Sequence, residues 1–312
     1  MHRIQQRSSF LRYFSQNWSL YLMSLPGIVY LVLYKFLPLI GLSLAFKEYD
    51  MFAGSGLLDS MLKSDWVGLD YFRRIFSTPQ FWTLLRNTIL ISVYKIVILF
   101  PLPILLSLLL NELRSARIKR YVQTALYLPH FLSWVIIYGI FFTLLSTDGI
   151  VNQVLEKIGS PQLMFFTDQS LFRSLLVATE GWRETGWGTI VYLAALTSID
   201  PALYEAALMD GANRFQRMIH ITFPSIASVV ALMLLLRVGN ILQAGYEQIL
   251  VMYNPAVYPV ADILQTYIYR IGLGKLDFST GTAMGMFESV VGFMLVITCN
   301  GISRKFFERS LW

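Results

Sequence analysis

Ten residues in two apolar stretches carry side chains able to grip a polar molecule. In the run ATEGWRETGWGTIVY they are Glu180, Trp182, Arg183, Glu184 and Trp187; downstream they are Arg237, Asn240, Gln243, Tyr246 and Glu247. Ionisable groups inside an apolar span are costly and commonly mark a pathway or a paired site. Carboxylates, amides and guanidinium groups exchange hydrogen bonds with hydroxyls, while Trp and Tyr rings offer flat apolar faces with a polar edge. Together they suit a hydroxyl-rich, ring-shaped molecule. Glu180, Arg183 or Glu184, and Trp187 recur at three- and four-residue steps, so they share one helix face. Arg237, Asn240, Gln243 or Ala244, and Glu247 recur in the same way, with Tyr246 and Gln248 beside them. At ~1.5 Å per residue, Arg183 lies roughly 15 Å and Arg237 roughly 20 Å below the outer surface, in one layer. Two readings stay open: the lining of a cavity, or an ion-pair network between helices, such as Arg237 with Glu180 or Glu184.

The elements that must position these groups are membrane helices. Of the 312 residues, 55% are hydrophobic and only 14% charged, well off the balance of soluble domains. A helix needs about 20 mainly apolar residues to cross the hydrocarbon core. Six segments qualify, at 19–44, 82–111, 119–145, 173–197, 223–251 and 283–304. The apolar run after the basic N-terminus is too long for a signal peptide and has no small-residue cleavage site, so it reads as a retained first span. Prolines at 26, 38, 101, 103 and 129 are tolerable where neighbouring helices take up the freed carbonyls. The expected organisation is an all-α membrane protein: an arm over 1–18, a six-helix unit over 19–305 and a tail over 306–312.

Short connections set the orientation. Arg3, Arg7 and Arg12 precede the first span; Arg114, Arg117, Lys119 and Arg120 stand against Glu112 in the turn near 112–120; Arg304, Lys305 and Arg309 follow the last span. With six spans all three clusters fall on one side, as do Arg214 and Arg217 of 198–222, and the positive-inside rule makes that side cytoplasmic. The loops 45–81, 146–172 and 252–282 then face outward. The last contains NPAVYPV and several tyrosines, and reads as a docking surface or a re-entrant segment.

The connection SIDPALYEAALMDGANRFQRMIHITFPSI, residues 198–226, is unusually regular. Asp200 followed by Pro201 is an N-cap with a first-turn proline. The helix should run to about Asp210 and end at Gly211 in a left-handed conformation. A second helix is expected over Asn213–Thr222, before Pro224 opens the next span. This elbow could be a lipid-facing amphipathic connector. Its first half is acidic, however, with Glu205 and Asp210, whereas helices lying on a membrane carry a basic polar face. Ala206 and Ala207 are small enough for a partner to approach closely.

At these positions the chain resembles a known family. Glu205, Ala206 and Ala207, then Gly211 after three residues, then Ile221 and Pro224 after nine more, look like the EAA signature of ABC importer permeases; Phe223 stands where that signature usually has Leu. The strings WVGLDYFRRIF, RNTILIS, YLPHFLSW, GWGTIVYLAAL, NPAVYPVADILQTYIYRIGL and the terminal LW resemble the branch that imports oligosaccharides and polysaccharide fragments. The resemblance implies a type I importer permease fold with a cytoplasmic coupling helix. Glu205 would anchor that helix in a groove of an ATPase subunit, and Gly211 would allow its bend. It implies a bacterial inner-membrane location and four kinds of partner: a second homologous permease forming a heterodimer, two ATPases, an extracellular solute-binding protein, and the oligosaccharide.

Other classes are disfavoured. There is no HExxH, Cys/His cluster or P-loop, so ATP and Mg2+ would belong to a separate ATPase chain, with no cofactor or metal held here. His2, His130 and His220 are scattered, and Cys299 sits alone in an apolar run. The net charge of +6 comes from short clusters beside spans, which does not suggest nucleic acid. A secondary transporter or channel is the alternative, but no repeat relates 19–145 to 173–304.

Overall fold

The computed structural model describes Tyr13 and residues 16–307. The arm bearing Arg3, Arg7 and Arg12, and Arg309 of the tail, lie outside the described residues. Among the described residues, five segments are long and apolar enough to cross a membrane: Trp18–Phe46, Pro79–Asn111, Trp134–Lys157, Arg214–Gly239 and Phe278–Gly301. The expected span at 173–197 is a continuous 29-residue helix, Gln169–Thr197. Its length of ~43 Å is ample, but Arg173, Glu180, Arg183 and Glu184 lower its apolarity.

In chain order, α1 is Trp18–Leu31, and it passes into a π-helical turn at Val32–Phe36 and a 3-10 stretch at Leu37–Phe46. Two-residue strands β1 (Lys47–Glu48) and β2 (Asp65–Trp66) pair antiparallel across helix α2 (Leu57–Lys63). This small ladder is the one departure from the all-α expectation among the described residues. Then follow α3 (Asp70–Ser77), α4 (Pro79–Leu99), α5 (Pro101–Asn111), α6 (Ala116–Tyr127), α7 (Trp134–Leu145), α8 (Ile150–Lys157) and α9 (Gln169–Thr197). The elbow is α10 (Pro201–Met209) and α11 (Arg214–Arg217), a π turn Met218–Thr222 leads into α12 (Phe223–Gly239), and α13 is Tyr246–Met252. Short helices α14 (Tyr258–Ala261) and α15 (Leu264–Tyr269) precede α16 (Phe278–Phe307).

Two expected continuous spans are broken. The segment 119–145 divides at Leu128–Phe131, where Pro129 tightens the chain into a 3-10 turn and Ser133 accepts a bond from the Ile136 amide to start α7. The segment 223–251 divides at Asn240–Gly245, where Ala244 (φ 47°) and Gly245 (φ 80°) both adopt the left-handed conformation. Breaks at membrane depth survive only where the protein itself takes up the freed backbone groups.

Three buried clusters hold the helices. One joins Ile91, Ile137, Phe172, Leu176, Ile249 and Ile263; another joins Ala45, Phe81, Leu84, Leu264 and Met284. The third, near the elbow, joins Ile104, Leu108, Leu110, Tyr192, Leu193 and Ile226. In lipid these contacts gain through close packing rather than through release from water. Helix α1 contributes none of its residues to a buried cluster. Apolar on every side and unburied by its own chain, it is a span that needs lipid or another membrane subunit around it.

The segment 252–282 is not a plain surface loop. Ile263 and Leu264 are fully buried, and the Asn87 amide of α4 donates to the Pro259 and Asp262 carbonyls at 3.1 Å. Asp262 is buried and meets Arg270 at 2.5 Å, whose guanidinium lies 4.6 Å from the Tyr258 ring centre. This packing ties the segment into the helix bundle.

Candidate functional site

Eight of the ten candidate residues fall into three groups, with Trp182 and Glu247 outside them. Glu180 is buried on α9 and bridges two cations: Lys95 Nζ lies 2.5 Å from its Oε2, and Arg237 Nη2 lies 2.7 Å from its Oε1. Lys95, on α4, also donates to the Ala244 carbonyl at 2.8 Å and to Gln248 Oε1 at 2.6 Å. Gln248 in turn donates to the Leu176 carbonyl and to Thr179 Oγ1. Ser92 donates to the Ile241 carbonyl. The polar groups of α4 therefore take up carbonyls freed where α12 breaks. Gly245 is required there twice over. Its φ is 80°, and a Cβ on it would run into Lys95 Nζ. The pairing of Arg237 with Glu180 realises one of the two sequence readings. Lys95 was missed because it sits in one of the most apolar spans, although an ionisable residue at that depth is itself the signal.

The second group lies apart from the first. Arg183 contacts its neighbour Glu184 at 2.7 Å and stacks 4.7 Å from the Trp134 ring centre. Glu184 meets His130 Nδ1 at 3.0 Å, and the His130 ring lies flat on Trp187 at 4.3 Å. These residues tie α9 to the broken turn at 128–133. Glu180 thus turns to α4 and α12, while Arg183, Glu184 and Trp187 turn to α7 and its preceding turn; the single polar face expected on α9 serves two sets of neighbours. Trp182 lines a separate, mainly apolar cleft with Tyr94, Ile98, Leu102 and Val177.

The third group lines open space. Asn240, Gln243 and Tyr246 border a cavity of about 830 Å3 between the broken helix, α15 and α16. Gln265, Tyr269, Glu288 and Ser289 complete its polar wall, and Gln265 donates to Glu288 Oε1 at 2.7 Å. A smaller cleft lined by Ser92, Lys95, Glu180 and Arg237 shares Asn240 and Gln243 with it, so the ion cluster adjoins the cavity. The Arg237 side chain is 42% exposed and keeps part of its guanidinium free. Glu247 is exposed and lines neither space. Gln265, Tyr269 and Glu288 came to light only through the packing of 264–274 against α16.

The elbow takes the shape its sequence specifies. Asp200 Oδ1 accepts from the Ala202 amide at 2.9 Å, and Pro201 opens α10. Beyond Asp210, Gly211 has φ 76°, with its amide donating to the Leu208 carbonyl and that of Ala212 to the Ala207 carbonyl. This is the glycine-terminated helix end. Asn213 and Gln216 cap α11 reciprocally at 2.8 and 2.9 Å. The second arm is not one regular α-helix over 213–222, because a π turn at Met218–Thr222 carries it directly into α12. Tyr204 and Thr222 join the two arms through a hydroxyl pair at 2.9 Å, and Ile221 is partly buried just before Pro224. Glu205, Ala206 and Asp210 are exposed, with Ala207 partly so. Met209 is 88% and Phe215 64% exposed, an apolar showing that an aqueous loop would not keep uncovered.

Comparison with known proteins agrees with this architecture. Residues 99–312 match the family described as "Binding-protein-dependent transport system inner membrane component". The polygalacturonan/rhamnogalacturonan transport system permease protein YteP of Bacillus subtilis is 43% identical over 309 residues, covering 99% of this chain and 94% of its own. The lactose transport system permease protein LacF of Rhizobium radiobacter is 31% identical, covering 72% of each chain. Among solved structures, a chain of the bacterial alginate ABC transporter in complex with alginate pentasaccharide-bound periplasmic protein superimposes with a TM-score of 0.87. It is 38% identical over 96% of this chain and 99% of its own. The chain belongs to the inner-membrane components of binding-protein-dependent transport systems, as a permease subunit rather than an enzyme.

Proposed function

We propose that this chain is one of two permeases in an ATP-driven importer of oligosaccharides, fed by an extracellular solute-binding protein. The observation that carries the reading is the elbow. Its capped helix, glycine bend and capped return run without interruption into α12, the helix whose break borders the cavity. A push on Phe215 by a cytoplasmic ATPase would pass directly, and one on Glu205 or Met209 through the glycine bend and the Tyr204–Thr222 pair, into the helix that carries Arg237 and ends at the break bearing Asn240 and Gln243. Both termini and the elbow lie in the cytoplasm, and 252–282 faces outward. ATP and Mg2+ belong to the ATPase subunits. The similar proteins transport polygalacturonan or rhamnogalacturonan, lactose and alginate fragments, which supports a saccharide cargo.

In this cycle the cavity wall works by exchange of hydrogen bonds. Asn240, Gln243, Gln265 and Glu288 replace water around hydroxyl groups, and Tyr246 and Tyr269 offer ring faces. Closure of the ATPases would draw the elbows together and open the cavity outward; separation would return it inward. A cargo held weakly at several points passes more readily than one held tightly at a single point. This chain encloses the cavity only in part, so the second permease would supply the facing wall. The test is uptake of labelled oligogalacturonides and neutral oligosaccharides into proteoliposomes holding both permeases, both ATPases and the binding protein. ATP-dependent accumulation of a saccharide supports the reading; accumulation driven by an ion gradient without ATP overturns it.

A further inference from the structure

Beneath the elbow is a second polar cleft, unconnected with the cavity. It has a volume of about 260 Å3, and its walls include Glu112, Arg114, Tyr204, Arg214, Arg217 and Thr222. Three guanidinium groups face one carboxylate. Glu112 compensates only Arg214, at 3.9 Å, with both side chains more than half exposed. Such a pair holds little attraction through water. Arg217 is the telling group: its Nε is buried and has no hydrogen-bond acceptor among the described residues. A buried N–H of a cation left without an acceptor is destabilising, and a ligand oxygen would relieve it.

The position of the cleft indicates what supplies that oxygen. Asn111 ends the spanning helix α5, and Thr222 immediately precedes the spanning helix α12. Both line the cleft, so its mouth lies at the level of the headgroups. Leu113, 38% exposed, and Met218 border it as well, giving an apolar flank beside the cations. The volume falls below the ~300–1,000 Å3 typical of sites for whole small molecules, which disfavours a nucleotide. Arginine forks match phosphate oxygens in pairs, and basic pockets between helices on the cytoplasmic face hold anionic headgroups.

We propose that this cleft binds the phosphate of an anionic phospholipid of the cytoplasmic leaflet, and that the headgroup pins the elbow to the end of α5. The inference rests on the cytoplasmic orientation proposed above but not on the identity of the cargo. Its readout is lipid binding, so it fails separately from the transport reading.

The test uses the complete transporter, both permeases with both ATPases, stripped of lipid and titrated with phosphatidylglycerol or phosphatidylcholine under native mass spectrometry. The wild type is expected to prefer phosphatidylglycerol, and Arg114→Gln/Arg217→Gln to weaken that binding by about ten-fold or more. Arg114→Lys/Arg217→Lys should retain part of it, because charge remains while the planar fork is lost. An unchanged unfolding midpoint of the Gln variant in phosphatidylcholine nanodiscs separates lost binding from misfolding. If that midpoint falls, loss of the headgroup is read from the Lys variant instead. Equal phosphatidylglycerol binding by wild type and variants overturns the proposal. Full displacement of the lipid by millimolar inorganic phosphate also overturns it, since the site would then be one for the free ion. So does a preference that emerges only after the ATPases are removed, since their acidic side chains would then be the occupant.

Discussion

Lys95, Glu180 and Arg237 show how one buried carboxylate can organise three helices. The Lys95 and Glu180 side chains are 4% and 8% exposed, so neither can turn to water if its partner is lost. Glu180→Gln should destabilise the fold by about 3–5 kcal/mol, the usual cost of stranding a buried charge. Lys95→Met/Glu180→Met should recover most of that, because Arg237 is exposed enough to hydrate. Unfolding midpoints in nanodiscs would read both; a Glu180→Gln protein as stable as wild type would contradict the role given to the pair. Gly245→Ala is expected to destabilise as well, since it forces a side chain into the left-handed region and its methyl would crowd the Lys95 ammonium. The cavity and the α9 cluster should respond differently to substitution. Gln243→Ala/Tyr269→Ala should raise the KM for uptake several-fold with little change in the unfolding midpoint. Trp187→Ala should lower the midpoint and leave KM alone, because its ring packs on His130 rather than lining the cavity. A KM change confined to the Trp187 variant would reverse that assignment.

Helix ends were more legible in the sequence than helix breaks. Asp200–Pro201 and Gly211 are local signals, complete within one turn, and the elbow they specify is present to within a residue or two. The break at 128–133 lies inside a largely apolar run, and the polar residues at 237–248 read equally well as the lining of an unbroken span. The breaks' own signals, Pro129 with Ser133 and Asn240 with Ala244–Gly245, are also found in unbroken spans. What decides the matter is whether another helix can accept the loose carbonyls, and Ser92 and Lys95 do so from about 150 residues away. The same reason hid Gln265, Tyr269 and Glu288: the packing of 264–274 against α16 brings them together, and no local periodicity encodes it. At this scale Asp200→Ala should cost about 1 kcal/mol, as loss of an N-cap does. Gly211→Ala should cost a similar amount by forcing a side chain into the left-handed region. Neither residue is buried, so the variants should assemble normally while saccharide-stimulated ATP hydrolysis falls; full stimulation in both would mean that the elbow's shape is immaterial.

As a whole the chain reads as part of a larger assembly. Helix α1 buries nothing within its own chain, the cavity is only partly enclosed, and Met209 and Phe215 stand in the open on the elbow. Each of these surfaces corresponds to a partner in the proposed transporter: a second permease for the first two, an ATPase for the third. The composition already placed the protein in a membrane, and the family resemblance carried by Glu205 to Pro224 already implied a coupling helix. Which residues wall the cavity could be learned only from the packed helices.

The central claim is that the elbow transmits the work of a separate ATPase. Its most direct test is co-purification of the wild-type chain and of Glu205→Ala/Gly211→Pro, each co-expressed with the neighbouring transport genes. The account predicts that an ATPase travels with the wild type and is lost, or no longer stimulated by loaded binding protein, with the variant. A wild-type chain that transports without any associated ATPase would contradict it.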